Sequence, residues 1–274
     1  MLIDRLAMSF VMVPAAVWAL ALGGPAFTLA IAVTLGLAAR EYARFFQANG
    51  GRPAGPLLIL GVVVLVFNRY FLWVGSEVVL SGLVMLALLW HLVDFERGAT
   101  GSGTDFVATL GGLLYVGWLG GYAIDLRHHG PDGLWWAAVV FGAVWLADTG
   151  AYFAGRAFGR HALAPRLSPK KTWEGLAGGV LLAALAGGAM GALWAMAATP
   201  GSLMGWGTGL FLGALGGIAG PAGDLGISML KRQTGLKDAG HLLAGHGGVL
   251  DRIDSWLIGV PVGYFAIVLL EHLL

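Results

Sequence analysis

Nine apolar runs, near 8–22, 26–40, 56–74, 78–92, 106–124, 134–154, 175–198, 206–229 and 255–271, leave this chain few folds to adopt. Several reach the roughly 20 residues that carry a helix across a bilayer core. Lipid offers backbone groups no partners, so such a run satisfies its N–H and C=O groups internally, as an α-helix. Composition agrees: 58% of the residues are hydrophobic and 11% charged, where soluble domains run to about 25% charged. The expected fold class is therefore all-α, a polytopic integral membrane protein of about nine transmembrane helices. A very large soluble core is the alternative, and repeated runs of spanning length argue against it. Glycine pairs inside the runs, such as Gly178-Gly179 and Gly187-Gly188, permit close helix approach in lipid.

Charge sets the expected topology. All but two of the 16 Lys and Arg, the exceptions being Arg69 and Arg127, fall in loops on one side of a nine-span arrangement. By the positive-inside rule that side is cytoplasmic. The N-terminus is then expected inside and the C-terminus outside. Arg5, the apolar run after it and small residues near Ala21 resemble a signal peptide, but this topology needs the segment as a retained first span. The net charge of +1 gives no ground for a nucleic-acid partner, and none is expected. With no cysteine, disulfides, thiolate metal sites and cysteine nucleophiles are excluded.

The first half carries few chemical signals. Arg40-Glu41-Tyr42 reads as a snorkelling interfacial anchor. Asp94, Glu96, Arg97 and Asp105 read as ordinary loop charge, and Asp125, Arg127, His128, His129 and Asp132 as a solvated outer loop. The expected division is into residues 1–130, about five spans serving as a scaffold or dimer region, and 131–274, a catalytic region with cytoplasmic loops.

Chemistry gathers in the second half. Asp148 lies near the inner end of a span, where a carboxylate is costly unless paired, metal-bound or functional. Tyr152 and Arg156 follow it at helical spacing on one face, so an Asp148–Arg156 polar stripe is the structural alternative. Next comes Ser168-Pro169-Lys170-Lys171-Thr172, read as a turn whose cations and hydroxyls suit phosphates, with the positive end of a helix behind it. Glu174 falls in the first turn of that helix. Further on, Gly220-Pro221-Ala222-Gly223 is expected to loosen or break a helix just before Asp224. Asp224, Ser228 and Lys231 share a helical face, and Asp224 could instead bridge to Lys231.

The stretch Ser228–Asp254 is the most polar in the chain, set between apolar segments. Gly247-Gly248 lets the backbone approach a ligand closely. Asp251 and Asp254, three apart, face together as the last span begins. Carboxylates without cysteine suit Mg²⁺ rather than zinc. His246 reads as a phosphate contact or proton donor.

In order, Ser228-x-Leu230-Lys231-Arg232-x4-Lys237-Asp238-x-Gly240-x-x-Leu243-x-x-His246-Gly247-Gly248-x-x-Asp251-Arg252-x-Asp254 resembles the signature of the phosphatidate cytidylyltransferases, the CDP-diacylglycerol synthases. Asp148 and Ser168-Pro169-Lys170-Lys171-Thr172-x-Glu174-Gly175 resemble that family's upstream motifs. Ala244 departs from the pattern, standing where the family has Pro or Gly; it should loosen the loop before His246 without removing a reacting side chain. The resemblance implies CTP and phosphatidate as substrates and CDP-diacylglycerol and pyrophosphate as products, made at the cytoplasmic face of a bacterial inner membrane. It implies Asp224, Asp251, Lys231 and Asp148 as catalytic residues, with Asp224, Asp251 and Asp254 holding Mg²⁺, as a two-metal site. Ser168, Lys170, Lys171, Thr172, Ser228, Arg232, Lys237, Asp238, His246 and Arg252 are then the expected substrate contacts. A monovalent cation such as K⁺ and a homodimer are compatible with it.

Rival readings are a CTP-dependent polyprenol-type lipid kinase, which would release CDP, and an ion-coupled transporter using Asp148 and Asp224. A transporter site usually lies near the midplane between repeated halves, whereas these charges crowd the inner face and no repeat is evident. A non-catalytic scaffold leaves the Asp/Lys clustering without a reason.

Overall fold

The computed structural model describes residues 13–240 and 247–273. His246 and Ala244 lie outside the described residues. The fold is helical, with one small hairpin: α1 (Val13–Leu22), α2 (Gly24–Gln47), α3 (Gly55–Phe71), α4 (Ser76–Glu96), α5 (Ser102–Arg127), α6 (Gly133–Phe158), β1 (Ala162–Ala164), β2 (Ser168–Thr172), α7 (Trp173–Ala195), α8 (Trp206–Thr234) and α9 (Leu250–Leu273). Seven of these helices are long and apolar enough to cross a membrane; α1 and α3 are apolar but shorter. The protein is a polytopic integral membrane protein of the all-α class. The chain forms two compact units, one of residues up to Ile124 together with Leu230–Ile253, the other of Asp125–Met229 together with residues from Asp254 onward.

In the first unit α2 pairs with α3. Gly23 and Gly24, at φ of 62° and 50°, turn the chain sharply from α1 into α2. Phe27, Ile31, Leu35, Ala38, Tyr42 and Phe45 recur every three or four residues and form the buried stripe of α2. Gly112 and Gly117 let α5 close on α3, because a Cβ at either would press into Leu58 or Val62. The middle of α5, Leu113–Leu119, is wound as a π-helix. On α4 only Leu83, Ala87 and His91 are buried, four residues apart, and between its polar ends most of the remaining surface is apolar and partly or fully exposed, as lipid contact requires.

Two polar features of this unit depart from the sequence reading. Asp105 is buried, at 6% exposure, and accepts the Arg52 N–H at 2.7 Å, so it is not ordinary loop charge. Beside it Thr109 accepts the Ala54 N–H at 3.0 Å and lies 2.9 Å from His91 Nε2. Together they tie down the backbone between α2 and α3. Of Arg40-Glu41-Tyr42, Arg40 is exposed as an anchor should be, but Glu41 and Tyr42 are buried.

The second unit is closed by small residues. Gly150 of α6 packs on Gly178 and Gly179 of α7, where a Cβ on Gly179 would come 2.6 Å from the Ala147 carbonyl. Gly187 and Gly191 of α7 meet Gly209 and Gly213 of α8 in the same way. Lipid is as apolar as leucine, so contact area between closely approaching backbones replaces the hydrophobic effect here. The expected break at Gly220–Gly223 does not occur: α8 runs unbroken through Pro221. Its glycines serve approach instead, for Gly223 abuts the Asp254 carbonyl and Gly220 faces Val144 and Ser255. The residues expected in a solvated outer loop are held by specific bonds. Asp132 is buried and accepts from the Thr199 N–H (3.0 Å) and hydroxyl (2.9 Å), and His129 lies 2.7 Å from Glu271.

Candidate active site

In the second unit the C-terminal part of α6, the start of α7, the later half of α8 and the β-hairpin line a cavity of about 430 Å³. The helical period of α6 turns Asp148, Tyr152 and Arg156 into it together, and Arg156 donates to the Tyr152 hydroxyl at 3.2 Å. The three line up as a polar stripe, with Tyr152 between the acid and the guanidinium. From α8 come Pro221 and Asp224, and from β2 come Lys170, Lys171 and Thr172.

The segment read as a turn at Ser168–Thr172 is the second strand of an antiparallel hairpin, with Ala162 opposite Thr172 and Ala164 opposite Ser168. Glu174 explains why the hairpin holds. Its carboxylate accepts the backbone N–H groups of Arg160 (3.1 Å) and His161 (3.2 Å) and meets His161 Nδ1 at 2.6 Å. Thr172 caps α7 by accepting the Gly175 N–H at 3.1 Å, a bond of about 1 kcal/mol in such positions. Gly155 and Gly175 allow α6 and α7 to meet beside it, which brings the strand's lysines over the end of α6. Ser168, paired opposite Ala164, is half-buried and does not line the cavity.

Lys171 Nζ lies 2.5 Å from Asp224 Oδ2, and the Ser228 hydroxyl donates to Asp224 Oδ1 at 3.2 Å. The bridge expected as the structural alternative, Asp224 to Lys231, is replaced by this one. The Ser255 hydroxyl reaches Asp148 Oδ2 at 3.5 Å. Two carboxylates and three cations thus face one volume, together with Tyr152 and Thr172, and Ala151, Leu163 and Leu176 give it apolar wall. Asp254 lies on α9, buried at 7% exposure, with Oδ1 accepting the Ser255 N–H at 2.7 Å.

The first unit contains the rest of the polar stretch. Lys231 Nζ meets Asp251 Oδ1 at 2.8 Å, and Asp251 Oδ2 accepts the N–H groups of Ala239 (2.8 Å) and Gly248 (3.0 Å). Asp251 therefore organises the backbone ahead of α9. Gly247 takes φ of 79°, the left-handed region that the sequence reserves for glycine. Arg232, Lys237 and Arg252 are exposed and Asp238 is half-buried. Glu41 is the residue the sequence reading missed: it is 3% exposed, and its Oε2 accepts the Leu250 N–H at 2.8 Å. Its only sequence signal was an acid within an apolar run, which an interfacial anchor shares.

Among the described residues no three His, Asp or Glu gather into a metal cage. Magnesium does not need one, since it takes one or two carboxylates and completes its shell with water and substrate phosphate. Asp148 and Asp224, facing the same cavity, fit that requirement.

A family model described as the cytidylyltransferase family matches residues 3–270. The phosphatidate cytidylyltransferase of Brucella suis biovar 1 is 37% identical over 90% of this chain and 86% of its own. That of Synechocystis sp. is 34% identical over 92% and 91%, and that of Pseudomonas aeruginosa 37% identical over 96% and 95%. The family match takes in every helix described above, and the relatives cover nine-tenths or more of the chain, so the chain belongs to the cytidylyltransferase family.

Proposed function

We propose that the chain makes CDP-diacylglycerol and pyrophosphate from CTP and phosphatidate. The observation that carries this reading is the cavity lined by α6, α7, α8 and the hairpin, which gathers Asp148, Asp224, Lys170, Lys171 and Arg156 in one volume. The names of the bacterial relatives supply the substrates.

A phosphate oxygen of phosphatidate attacks the α-phosphorus of CTP. The new P–O bond forms as the bond to the bridging oxygen of the β-phosphate breaks, and pyrophosphate leaves with the electron pair. The attacking oxygen is already ionised, so no strong general base is needed. The barrier is the approach of two polyanions, and fixed positive charge lowers it. Lys170, Lys171 and Arg156 supply that charge, and the start of α7 adds the positive end of a helix. Asp148 and Asp224 would hold Mg²⁺, which when bound neutralises phosphate charge and aligns attacking and leaving oxygens. Ser228, bonded to Asp224, holds that carboxylate in one orientation. Thr172 and Glu174 keep the hairpin in place. In the other unit Lys231, Arg232 and Lys237 retain the phosphate-neutralising role of the sequence signature, and Asp251 and Asp254 its acidic positions. The hairpin cations support a site on the cytoplasmic side of a bacterial inner membrane.

Labelled CTP, phosphatidate and Mg²⁺ in detergent test the reading. Labelled CDP-lipid with pyrophosphate is the expected product. Release of CDP would instead identify a lipid kinase, and no turnover would sink the assignment.

A further inference from the structure

Glu41 is a buried carboxyl that the reaction above does not use. It lies on α2, yet its contacts are with residues about two hundred positions later. Oε2 accepts the N–H of Leu250, the first residue of α9. That N–H is one of the helix-start donors that no residue of the helix itself can satisfy. Gly240 and Gly248 rest flat on the same carboxyl: a Cβ on Gly240 would overlap Oε1, and one on Gly248 would overlap Oε2. Oε1 has no hydrogen-bond partner among the described residues.

Asp251 addresses the same two stretches of backbone, accepting from Ala239 and Gly248. Glu41 and Asp251 therefore bracket Ala239–Gly240 on one arm and Gly248–Leu250 on the other. A buried acid with an unpartnered oxygen is a poor way to stabilise a core, because an apolar side chain of equal size avoids the desolvation cost. Its positive effect is to fix where the two arms sit, and with them Lys231, which meets Asp251.

We propose that Glu41 is a positioning residue that clamps the two arms of the signature segment and so aligns Lys231 and Asp251. The link to nucleotide rests on the proposed cytidylyl transfer. Glu41→Ala should raise the KM for CTP roughly ten-fold, as loss of an outer support does at comparable sites, alongside the fall in melting temperature that stranding the buried Leu250 N–H brings. Glu41→Gln keeps an acceptor for Leu250 and should restore much of the loss. Amide exchange of the peptide covering residues 247–253 should quicken in Glu41→Ala and recover in Glu41→Gln. Gly240→Ala should be harmful alone, because its methyl meets the Glu41 carboxyl, and should add nothing in the Glu41→Ala background. Unchanged exchange in Glu41→Ala, additive effects of the two substitutions, or a fall in kcat and melting temperature with CTP KM unmoved would each overturn the clamp. If the wild type makes no CDP-lipid, the proposed activity falls, while exchange and the Glu41–Gly240 coupling still decide the clamp.

Discussion

The acids of the cavity and the acids elsewhere are satisfied in different ways. Asp148 and Asp224 are met by side chains, the Ser255 hydroxyl for one and Lys171 and Ser228 for the other. Glu41, Asp105 and Asp132 accept backbone N–H groups from distant parts of the chain. Backbone donors cannot leave without moving the chain, so an acid that holds them is committed to shape. Side-chain donors can rotate away, so an acid they hold can exchange partners for a metal or a phosphate. Asp251 does both, with Lys231 on one oxygen and two N–H groups on the other.

The largest expected effect is on the cavity side of this contrast. Asp224→Asn should cut turnover by roughly 100-fold or more, the scale of losing a charge-stabilising group. Melting should change little, because the asparagine still receives Ser228 and the Lys171 ammonium is partly exposed and can turn to water. Chelating Mg²⁺ in the wild type should match that loss, read as pyrophosphate release. Turnover near normal in the variant would place Asp224 among the shape-holding acids.

A middle effect is expected from Asp105→Ala. It takes the charged acceptor away from the part-buried Arg52 N–H, a bond of about 1.5–3 kcal/mol. Melting temperature should fall while the KM for CTP stays constant. A changed KM with unchanged melting would move Asp105 to the other class.

The smallest effect concerns acid stability at Asp132. Burial alone would push this carboxyl up, but the Ser202 hydroxyl and the Thr199 N–H and hydroxyl outweigh it and hold it below the usual aspartate range. A depressed folded value contributes stability that is complete above the unfolded value, about 3.9. That contribution shrinks as pH falls from there through the folded value. Asp132→Asn should therefore melt lower than wild type at pH 6, with the gap closing as pH falls below about 4. A gap independent of pH would refute the assignment.

Much of this was legible in the residues. Apolar runs placed the helices, because lipid leaves backbone groups no alternative. Asp148, Tyr152 and Arg156 share the cavity because a helix of 3.6 residues per turn puts them on one face. The hairpin was not legible: Ser168-Pro169-Lys170-Lys171-Thr172 has turn-like composition, and Glu174 makes it a strand by gripping Arg160 and His161. Pro221 and its glycines read as a break, yet α8 continues because close neighbours support it.

What the sequence by itself determined was the helical membrane architecture and the polar segments that carry chemistry, since both follow from local pattern and the solvent around it. What only the tertiary structure decided was partner choice. Lys171 with Asp224, Lys231 with Asp251, and Glu41 with Leu250 are pairings between separate elements. An acid's role depends on which donor the packing of other helices brings to it, and spacing along one helix does not carry that information.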